Sequence, residues 1–537
     1  MSPLLPLILL ALGVGLLVSG VLPRFRFAGL VAIGATSGAL LSLLFLAFRL
    51  PSEATLSYWG PASLLPLGLV LAVDRLAWLF AAGILTVTLA TLLTGVARPG
   101  GRRVVVRGAM LLMAFASVAA VFADNLITRV MAWAGLDLIY FLALVVLARS
   151  EGMEPQAVLN LSFNSIGTLL ALAAAMLISR ESPALSLRDA ALTPQSTVLI
   201  TLAAAFRLGL FPLHLGLPAE ATIRQGLGTV LRLIPAAVAL ETMARLAVFG
   251  FAEAVQPWLT LFGAAAALAG AIQLWSMDDP RQGLTYVVIA YSGVALLAGM
   301  TGGAQASLAL AAHSLTLLLG GALLFLFNGH DEQHPRLTLF PLLGAGALLG
   351  APLTVGFVGW AGLYNGLLEA RSWPTLVGVV LAHIILAGGL LRTTFWPGQL
   401  LEGEPLVRTS HLAGLLLLAG ASILAGGLTT SGWMDRPAAG LFGLSGWSSL
   451  APLGFVAATS ALGFGLWRFE AAIRERAEVA AGTLTAFIRL DRLYRLAWGV
   501  IRGASWMINT LAAILEGEGA VLWTLVAALL LVLLFRR

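Results

Sequence analysis

The sequence predicts an all-α protein that crosses a membrane about 16 times, because its apolar residues run in blocks of roughly 17 to 25. Of 537 residues, 59% are hydrophobic and 10% are charged, whereas a soluble protein carries about a quarter charged residues. Blocks of this length span about 30 Å of hydrocarbon as helices. Backbone polar groups must be satisfied inside lipid, so the blocks cannot be loops or open strands.

The predicted spans are connected by arginine-rich segments that fix one orientation. Arginines cluster at residues 24–26, 98–107 and 468–502, after the first, third and fifteenth spans, and such connections face the cytoplasm. All three arginine clusters therefore face the cytoplasm if the N-terminus lies outside the cell. The predicted spans are 3–22, 27–48, 68–95, 105–123, 126–148, 157–178, 196–212, 226–250, 257–276, 283–300, 304–328, 336–370 (one long or two short helices), 374–396, 409–428, 449–468 and 519–535.

The composition argues against several kinds of site. There is no cysteine, and all 31 basic residues are arginine. Six histidines are scattered without metal-ligand spacing, and no Gly-rich nucleotide loop follows a strand. The net charge of +6 reflects membrane topology rather than nucleic acid. We therefore expect no metal, no cofactor and no redox site on this chain, and the lipid bilayer as its surroundings.

Residues 469–515 differ from the rest of the chain. Charged residues such as Arg474, Glu475 and Asp491 alternate with apolar ones such as Ile473 and Leu490 at helical spacing. This pattern is typical of an amphipathic helix on a membrane or protein surface. A solvated linker helix is the equally weighted alternative on pattern alone.

Ionisable residues inside spans are costly, by about 2.5–3.5 kcal/mol at the bilayer centre, and so indicate function. Asp137 and Arg207 lie well inside their spans and could form a polar step in a proton path or an ion pair that only joins two helices. Glu241 has Arg245 one helical turn away. Arg129, Glu369 and Arg392 lie near span ends, where we expect snorkelling anchors. The candidate proton-path residues are Asp137, Arg207, His214, Arg232, Glu241, His313 and His383.

Prolines mark possible helix breaks in three predicted spans. Pro212 and Pro218 interrupt the seventh span, Pro235 the eighth and Pro352 the twelfth. A proline frees a carbonyl in the middle of the membrane, which is tolerated where the break lines a hydrated cavity, although packing kinks are also common. Together with buried charge, broken helices favour an ion path.

Several short motifs carry a family resemblance. Residues 207–218, RLGLFPLHLGLP, resemble the K-x-x-x-x-P-x-H-x-W-L-P stretch of the antiporter-like subunits of respiratory complex I, shared with Mrp-type cation/proton antiporters and membrane-bound hydrogenases. Further landmarks in the family's order are Asp74 in LGLVLAVDRL, Asp124–Trp133, Asn164–Gly167, Asp279–Tyr286, His313–Leu326 and Pro352–Phe357.

The resemblance implies the fold and the setting of the chain. It implies two inverted five-helix repeats with broken helices, a C-terminal lateral helix and a final anchor helix. The corresponding segments are 1–104 (spans 1–3), 105–250 and 251–400 (the repeats), 401–468 (C-terminal spans), 469–515 (lateral helix) and 516–537 (anchor). It also implies a multi-pass protein of a bacterial or archaeal cytoplasmic (inner) membrane.

The implied function is a proton- or cation-translocating (H⁺ or Na⁺) subunit of a complex-I-type NADH:quinone oxidoreductase, assembled with other membrane subunits. The alternatives are a subunit of an Mrp antiporter, a membrane hydrogenase or an inorganic-carbon uptake complex, or a stand-alone transporter.

The chain departs from the family where the family places titratable groups. Arg207 replaces a lysine, and an arginine keeps its proton because its pKa lies above about 12. Ala134 follows Trp133 where the family has an acid, so the nearest carboxylate is Asp137, one turn on.

In the second half, Leu317, Gly321 and Trp360 occupy positions where the family has ionisable groups, and only His313 is retained. A proton relay needs groups that gain and lose protons. We therefore expect the second half to conduct protons poorly, unless Glu241, Arg232 or His383 supplies another route.

Overall fold

The computed structural model describes residues 2–18, 28–56, 69–96, 103–147, 153–179, 186–187, 192–210, 213–216, 225–280, 282–301, 305–327, 329–330, 334–398, 405–430 and 450–473, with isolated positions between 499 and 526. The chain forms two compact units, Met1–Ile473 and Arg474–Arg537. The predicted lateral helix beyond residue 473 and the predicted anchor helix lie outside the continuously described residues.

Within the described part of the first unit, sixteen α-helices follow one another. Eleven helices are long and apolar enough to cross a membrane, and two shorter apolar ones accompany them. This confirms an all-α polytopic membrane protein, while the total number of spans and the inverted repeats stay predictions. The helices are α1 Leu4–Val18, α2 Ala28–Leu46, α3 Arg75–Val96, α4 Arg103–Phe122, α5 Leu126–Leu147, α6 Met153–Ile178, α7 Pro194–Leu208, α8 Gln225–Phe249, α9 Gln256–Ser276, α10 Leu284–Thr301, α11 Ala306–Leu326, α12 Leu339–Leu348, α13 Val355–Glu369, α14 Trp373–Thr394, α15 Pro405–Thr430 and α16 Leu450–Arg468.

A two-stranded antiparallel sheet precedes α3. Strand β1, Ser52–Leu56, pairs with β2, Leu69–Val73. The sequence prediction of a span beginning at residue 68 was wrong here, because a short apolar run looks the same in a strand and in a buried helix. The helix begins only at Arg75, where the Asp74 carboxylate accepts a hydrogen bond from the Ala77 amide at 2.7 Å.

Helix α7 is too short to cross a membrane by itself. Its 15 residues extend about 22 Å at 1.5 Å per residue, less than the 30 Å or so of hydrocarbon. It ends at Gly209, which has a left-handed φ of 58°. A 3₁₀ helix, Leu213–Gly216, follows. Pro212 and Pro218 lie outside the described residues.

The other two predicted proline breaks had different outcomes. Pro235 does not break α8, which runs continuously from Gln225 to Phe249, so that prediction was wrong. Spanning helices tolerate proline where neighbouring groups satisfy the freed backbone. The break at Pro352 is confirmed, because α12 ends at Leu348 and α13 begins at Val355.

Helix α11 lies at the centre of the first unit. All of its apolar spanning window is buried, and it packs against α8, α10, α12 and α13. The backbones of α11 and α12 touch at two glycines, because a Cβ on Gly344 would lie 2.6 Å from the Gly320 carbonyl oxygen. Such small-residue contacts are typical of helix packing in membranes.

Candidate functional site

A buried ion pair joins α5 to the end of α7. Arg207 donates from Nη1 to Asp137 Oδ2 at 2.8 Å and from Nη2 to Asp137 Oδ1 at 2.6 Å. The two side chains are only 3% and 5% exposed. The predicted contact between these residues is therefore confirmed, and its geometry is bidentate, the strong form of an arginine–carboxylate pair.

Neighbouring helices hold this pair in place. The Thr168 hydroxyl on α6 donates to Asp137 Oδ2 at 2.9 Å and accepts from Arg207 Nη1 at 3.0 Å. The guanidinium carbon lies 4.5 Å from the centre of the Trp133 ring. Helix α6 approaches α7 closely at Gly167, where a Cβ would lie 2.8 Å from the Ala203 carbonyl oxygen. The Arg207 head is thus fixed from three sides.

The chemistry of the pair assigns different roles to its members. A carboxylate can accept and release a proton, whereas an arginine is effectively always charged. Asp137 is therefore the member of the pair whose chemistry allows proton exchange, and Arg207 is a fixed positive charge that balances its carboxylate. The Trp133 ring face stabilises that charge whether or not Asp137 is ionised.

Tyr140 extends the polar face of α5 by one further turn. Its side chain is 3% exposed, and its hydroxyl has no hydrogen-bond partner among the described residues. Arg232 on α8 interacts with this hydroxyl electrostatically and donates from Nε to Thr285 Oγ1 on α10 at 2.9 Å. The sequence analysis missed Tyr140, although its spacing of three from Asp137 places both on one helix face.

A second, larger charge cluster joins α3, α5 and α8. Arg129 Nη1 donates to Glu241 Oε2 at 2.6 Å and to Thr242 Oγ1 at 2.7 Å. Both Arg129 and Glu241 are fully buried. The predicted role of Arg129 as a snorkelling anchor is wrong, because its buried side chain points into the bundle and binds Glu241 on α8.

The cluster continues from Glu241 to a partly exposed carboxylate. Arg245 binds Glu241 one turn away, as predicted, and donates to Asp74 Oδ2 and Oδ1 at 2.8 and 3.0 Å. The Asp74 side chain is 30% exposed. Two arginines and two carboxylates thus balance one another between the buried Arg129 and the surface.

The second half of the chain contains a stack of buried aromatic and histidine rings. The Trp360 ring stacks on His383 with centroids 3.8 Å apart, and the His313 ring meets Trp360 edge-on at 5.2 Å. The Tyr364 hydroxyl forms a hydrogen bond with His383 Nδ1 at 2.9 Å. His313 and His383, which lie 70 positions apart in the sequence, therefore share one neighbour, a proximity the sequence could not show.

Three other predicted positions of the second half are buried. Leu317 and Gly321 are buried on α11. Arg392 was predicted to be a snorkelling anchor, and this was wrong. Its guanidinium is buried against the carbonyl oxygens of Met277 and Asp278, and it pairs with Glu470 at 2.7 Å.

Two more predicted residues lie away from these buried clusters. Glu369 is exposed at the end of α13. His214 is partly buried in the 3₁₀ helix beside α6. Among the residues that the structure describes, no group of three or more histidines and carboxylates could hold a metal ion.

Comparisons with known proteins identify the fold. No family model and no curated protein matches the sequence. A chain of the Mrp complex from Dietzia sp. DQ12-45-1b superposes with a TM-score of 0.73 at 20% identity, over 94% of this chain and 63% of that one. This chain thus spans less than two thirds of the Mrp chain's length.

Two further structures share the fold over nearly their whole length. A chain of respiratory complex I from Thermus thermophilus with bound NADH has a TM-score of 0.67 at 22% identity, over 86% of this chain and 99% of that one. A chain of the membrane-bound sulfane sulfur reductase, an archaeal respiratory membrane complex, has a TM-score of 0.68 at 17% identity with the same coverages. This chain therefore shares its fold with chains of the Mrp complex, of respiratory complex I and of the membrane-bound sulfane sulfur reductase.

Proposed function

We propose that this chain is a proton-translocating, antiporter-like membrane subunit of a complex-I-type NADH:quinone oxidoreductase. The observation that carries the proposal is the buried Asp137–Arg207 pair at the end of the shortened helix α7. A fold alone does not define a function, so the argument depends on this site. Ionisable pairs within spanning helices mark ion pathways in membrane proteins.

Protonation of Asp137 is the central step of the proposed mechanism. In the ionised state, both carboxylate oxygens accept from Arg207. When Asp137 takes up a proton, the charge of Arg207 loses its partner inside a low-dielectric interior, which strongly favours rearrangement or release of the proton. The Thr168 hydroxyl contacts both groups and can follow either state. Arg232 and Tyr140 extend the polar path towards α10.

The proposed ion is the proton rather than Na⁺. A metal cation needs several oxygen ligands, whereas the oxygens of Asp137 are already occupied by a guanidinium that repels cations. Electron transfer belongs to partner subunits in this proposal. The chain would reside in the cytoplasmic (inner) membrane of a bacterium or archaeon.

Purification of the tagged chain with its native partners tests the proposal. We expect co-purifying subunits with NADH:quinone oxidoreductase activity, and acidification of one side of reconstituted vesicles when NADH is supplied. Asp137→Asn should lower proton movement per NADH, while Glu369→Gln, an exposed carboxylate, should not. A complex without NADH-driven proton movement would refute the assignment.

An Mrp-type antiporter subunit is the second candidate. The superposition on the Mrp chain covers 94% of this chain, compared with 86% for the complex I chain. Exchange of Na⁺ for protons across vesicles, in the absence of an electron donor, would favour this alternative.

A further inference from the structure

In the second half of the chain, Trp360 contacts two buried histidines. The indole ring is parallel to His383, with 10° between the planes, and nearly perpendicular to His313, with 84° between them. All three side chains are fully buried. His383 lies near the middle of the 22-residue helix α14, so the group lies deep inside the bundle.

The broken span holds the indole in this position. Because α12 ends at Leu348, its carbonyl oxygen is free of the helix, and it accepts a hydrogen bond from Trp360 Nε1 at 2.9 Å. The Tyr291 hydroxyl donates to the same oxygen. The backbone at Gly350 also packs closely against the indole ring, because a Cβ on Gly350 would lie 2.6 Å from Trp360 Cδ1.

The two histidines have few hydrogen-bond partners among the described residues. No side chain pairs with either nitrogen of His313 or with Nε2 of His383, and the backbones at Gly359 and Leu349 interact with the His313 and His383 rings respectively. His383 Nδ1 is occupied by the hydroxyls of Tyr364 and Thr459, at 2.9 and 3.1 Å. Sparsely paired buried nitrogens call for an explanation, and imidazole nitrogens can accept and donate protons.

The indole cannot carry a proton between them. It has one N–H donor and no acceptor, and that donor already binds the Leu348 carbonyl. Its ring contacts both histidine rings, with centroids 3.8 Å from His383 and 5.2 Å from His313. A buried apolar ring also keeps the surrounding space dry.

We infer that Trp360 is a proton-tight seal in the second half of the chain, separating His313 from His383, which would conduct together if the indole were removed. This inference rests on the proposed function, because a seal matters only where a proton gradient exists. It assigns Trp360 a role in preventing back-leak, and it makes the two histidines a latent pair.

Leak through the intact complex tests the seal. The complex is reconstituted in vesicles that contain a pH-sensitive dye, and a K⁺ gradient with valinomycin drives protons without any electron donor. Trp360→Ala should raise proton entry severalfold, and Trp360→Phe, which keeps a ring, should stay close to the parent. Trp258→Ala is the matched control, because Trp258 is 60% exposed on α9.

A double variant tests the part played by the histidines. Adding His383→Ala to Trp360→Ala should return the leak towards the parent rate. A leak that persists in the double variant would overturn the latent pair. An assembled Trp360→Ala complex whose proton leak equals that of the parent complex would overturn the proposed role of Trp360 as a seal.

Two precautions keep the test decisive. If the Trp360→Ala complex does not assemble, Trp360→His replaces it, because its imidazole supplies the acceptor nitrogen that the indole lacks. The Trp360→His complex should therefore leak protons faster than the parent complex. A Trp360→His complex with the parent leak rate would overturn the proposed role of Trp360 as a seal. The proton leak is measured without NADH, so it is separate from the test of the proposed function. A parent complex that moves no protons when NADH is supplied would refute the proposed function and leave the leak result unchanged.

Discussion

At the scale of single residues, the buried cations that pair with acids in the described helices are arginines. Arg129, Arg207, Arg245 and Arg392 each contact a carboxylate. Because a guanidinium keeps its proton, these arginines act as fixed charges. The proposed proton transfer therefore depends on a carboxylate, Asp137, and not on its basic partner.

Asp137→Asn should destabilise the protein by about 3–5 kcal/mol, because Arg207 would be left as an uncompensated buried charge. Thermal unfolding of the detergent-solubilised complex measures this loss. Glu369→Gln, at an exposed carboxylate, is the control and should leave the transition unchanged. Equal transitions for both variants would show that the Asp137–Arg207 pair adds no stability.

Glu241→Gln should be more damaging than Asp74→Asn. Glu241 is fully buried between two arginines, whereas Asp74 is 30% exposed and pairs with Arg245. Water can replace part of the lost contact at Asp74 but not at Glu241. The yield and melting temperature of the two variants, compared side by side, test this order. A greater loss in Asp74→Asn would contradict it.

Sequence reasoning located charges along the helices but not the directions in which they point. Asp137 and Arg207 could be paired because both lie inside predicted apolar spans near the family's motif positions, although α7 ends at Leu208 and Arg207 lies in its last turn. Arg129 was misassigned because its position near the start of α5 is compatible with a lipid-facing or an inward orientation. Only the tertiary structure decides between them, because it brings the Arg129 side chain to Glu241 on α8, 112 positions along the chain.

At the scale of secondary-structure elements, the break between α12 and α13 depends on an unusual backbone. Gly350 has a φ of 74°, and Leu353 one of 71°. Glycine adopts this region without a steric penalty, whereas residues with a Cβ do not. The break frees the Leu348 carbonyl that positions Trp360.

Gly350→Ala should therefore destabilise the chain by about 1 kcal/mol or more, since the new Cβ would also meet the Trp360 ring. Gly427→Ala is the matched control, because a Cβ at Gly427 on α15 meets nothing within 4 Å. Melting temperatures of the two variants are the measurement. A Gly350→Ala protein as stable as Gly427→Ala would contradict the argument.

Proline alone did not predict which spans are broken. Pro235 is accommodated within α8, whereas the break at Pro352 also has Gly350 and a left-handed Leu353. The β1–β2 hairpin was missed for a related reason. Its second strand, Leu69–Val73, is an apolar run that adjoins a spanning helix, so hydropathy merges the two.

At the scale of the whole molecule, residues 469–515 are predicted to bind a neighbouring membrane subunit, because their mixed charge and apolar pattern needs a partner surface. Deleting residues 474–515 spares the Arg392–Glu470 ion pair. The truncated chain should insert into the membrane but separate from its complex during native gel electrophoresis. A truncated chain that still migrates with the complete complex would refute this prediction.

The central claim is that protons pass through the first half of the chain and not through the second. The number of protons moved per NADH oxidised tests this claim most directly. The measurement compares vesicles that contain the parent complex, His313→Ala and assembled Asp137→Asn. The account predicts an unchanged ratio for His313→Ala and a reduced ratio for Asp137→Asn, because protons pass the Asp137–Arg207 pair and not the sealed second half. A marked loss in His313→Ala, with Asp137→Asn at the parent ratio, would contradict it.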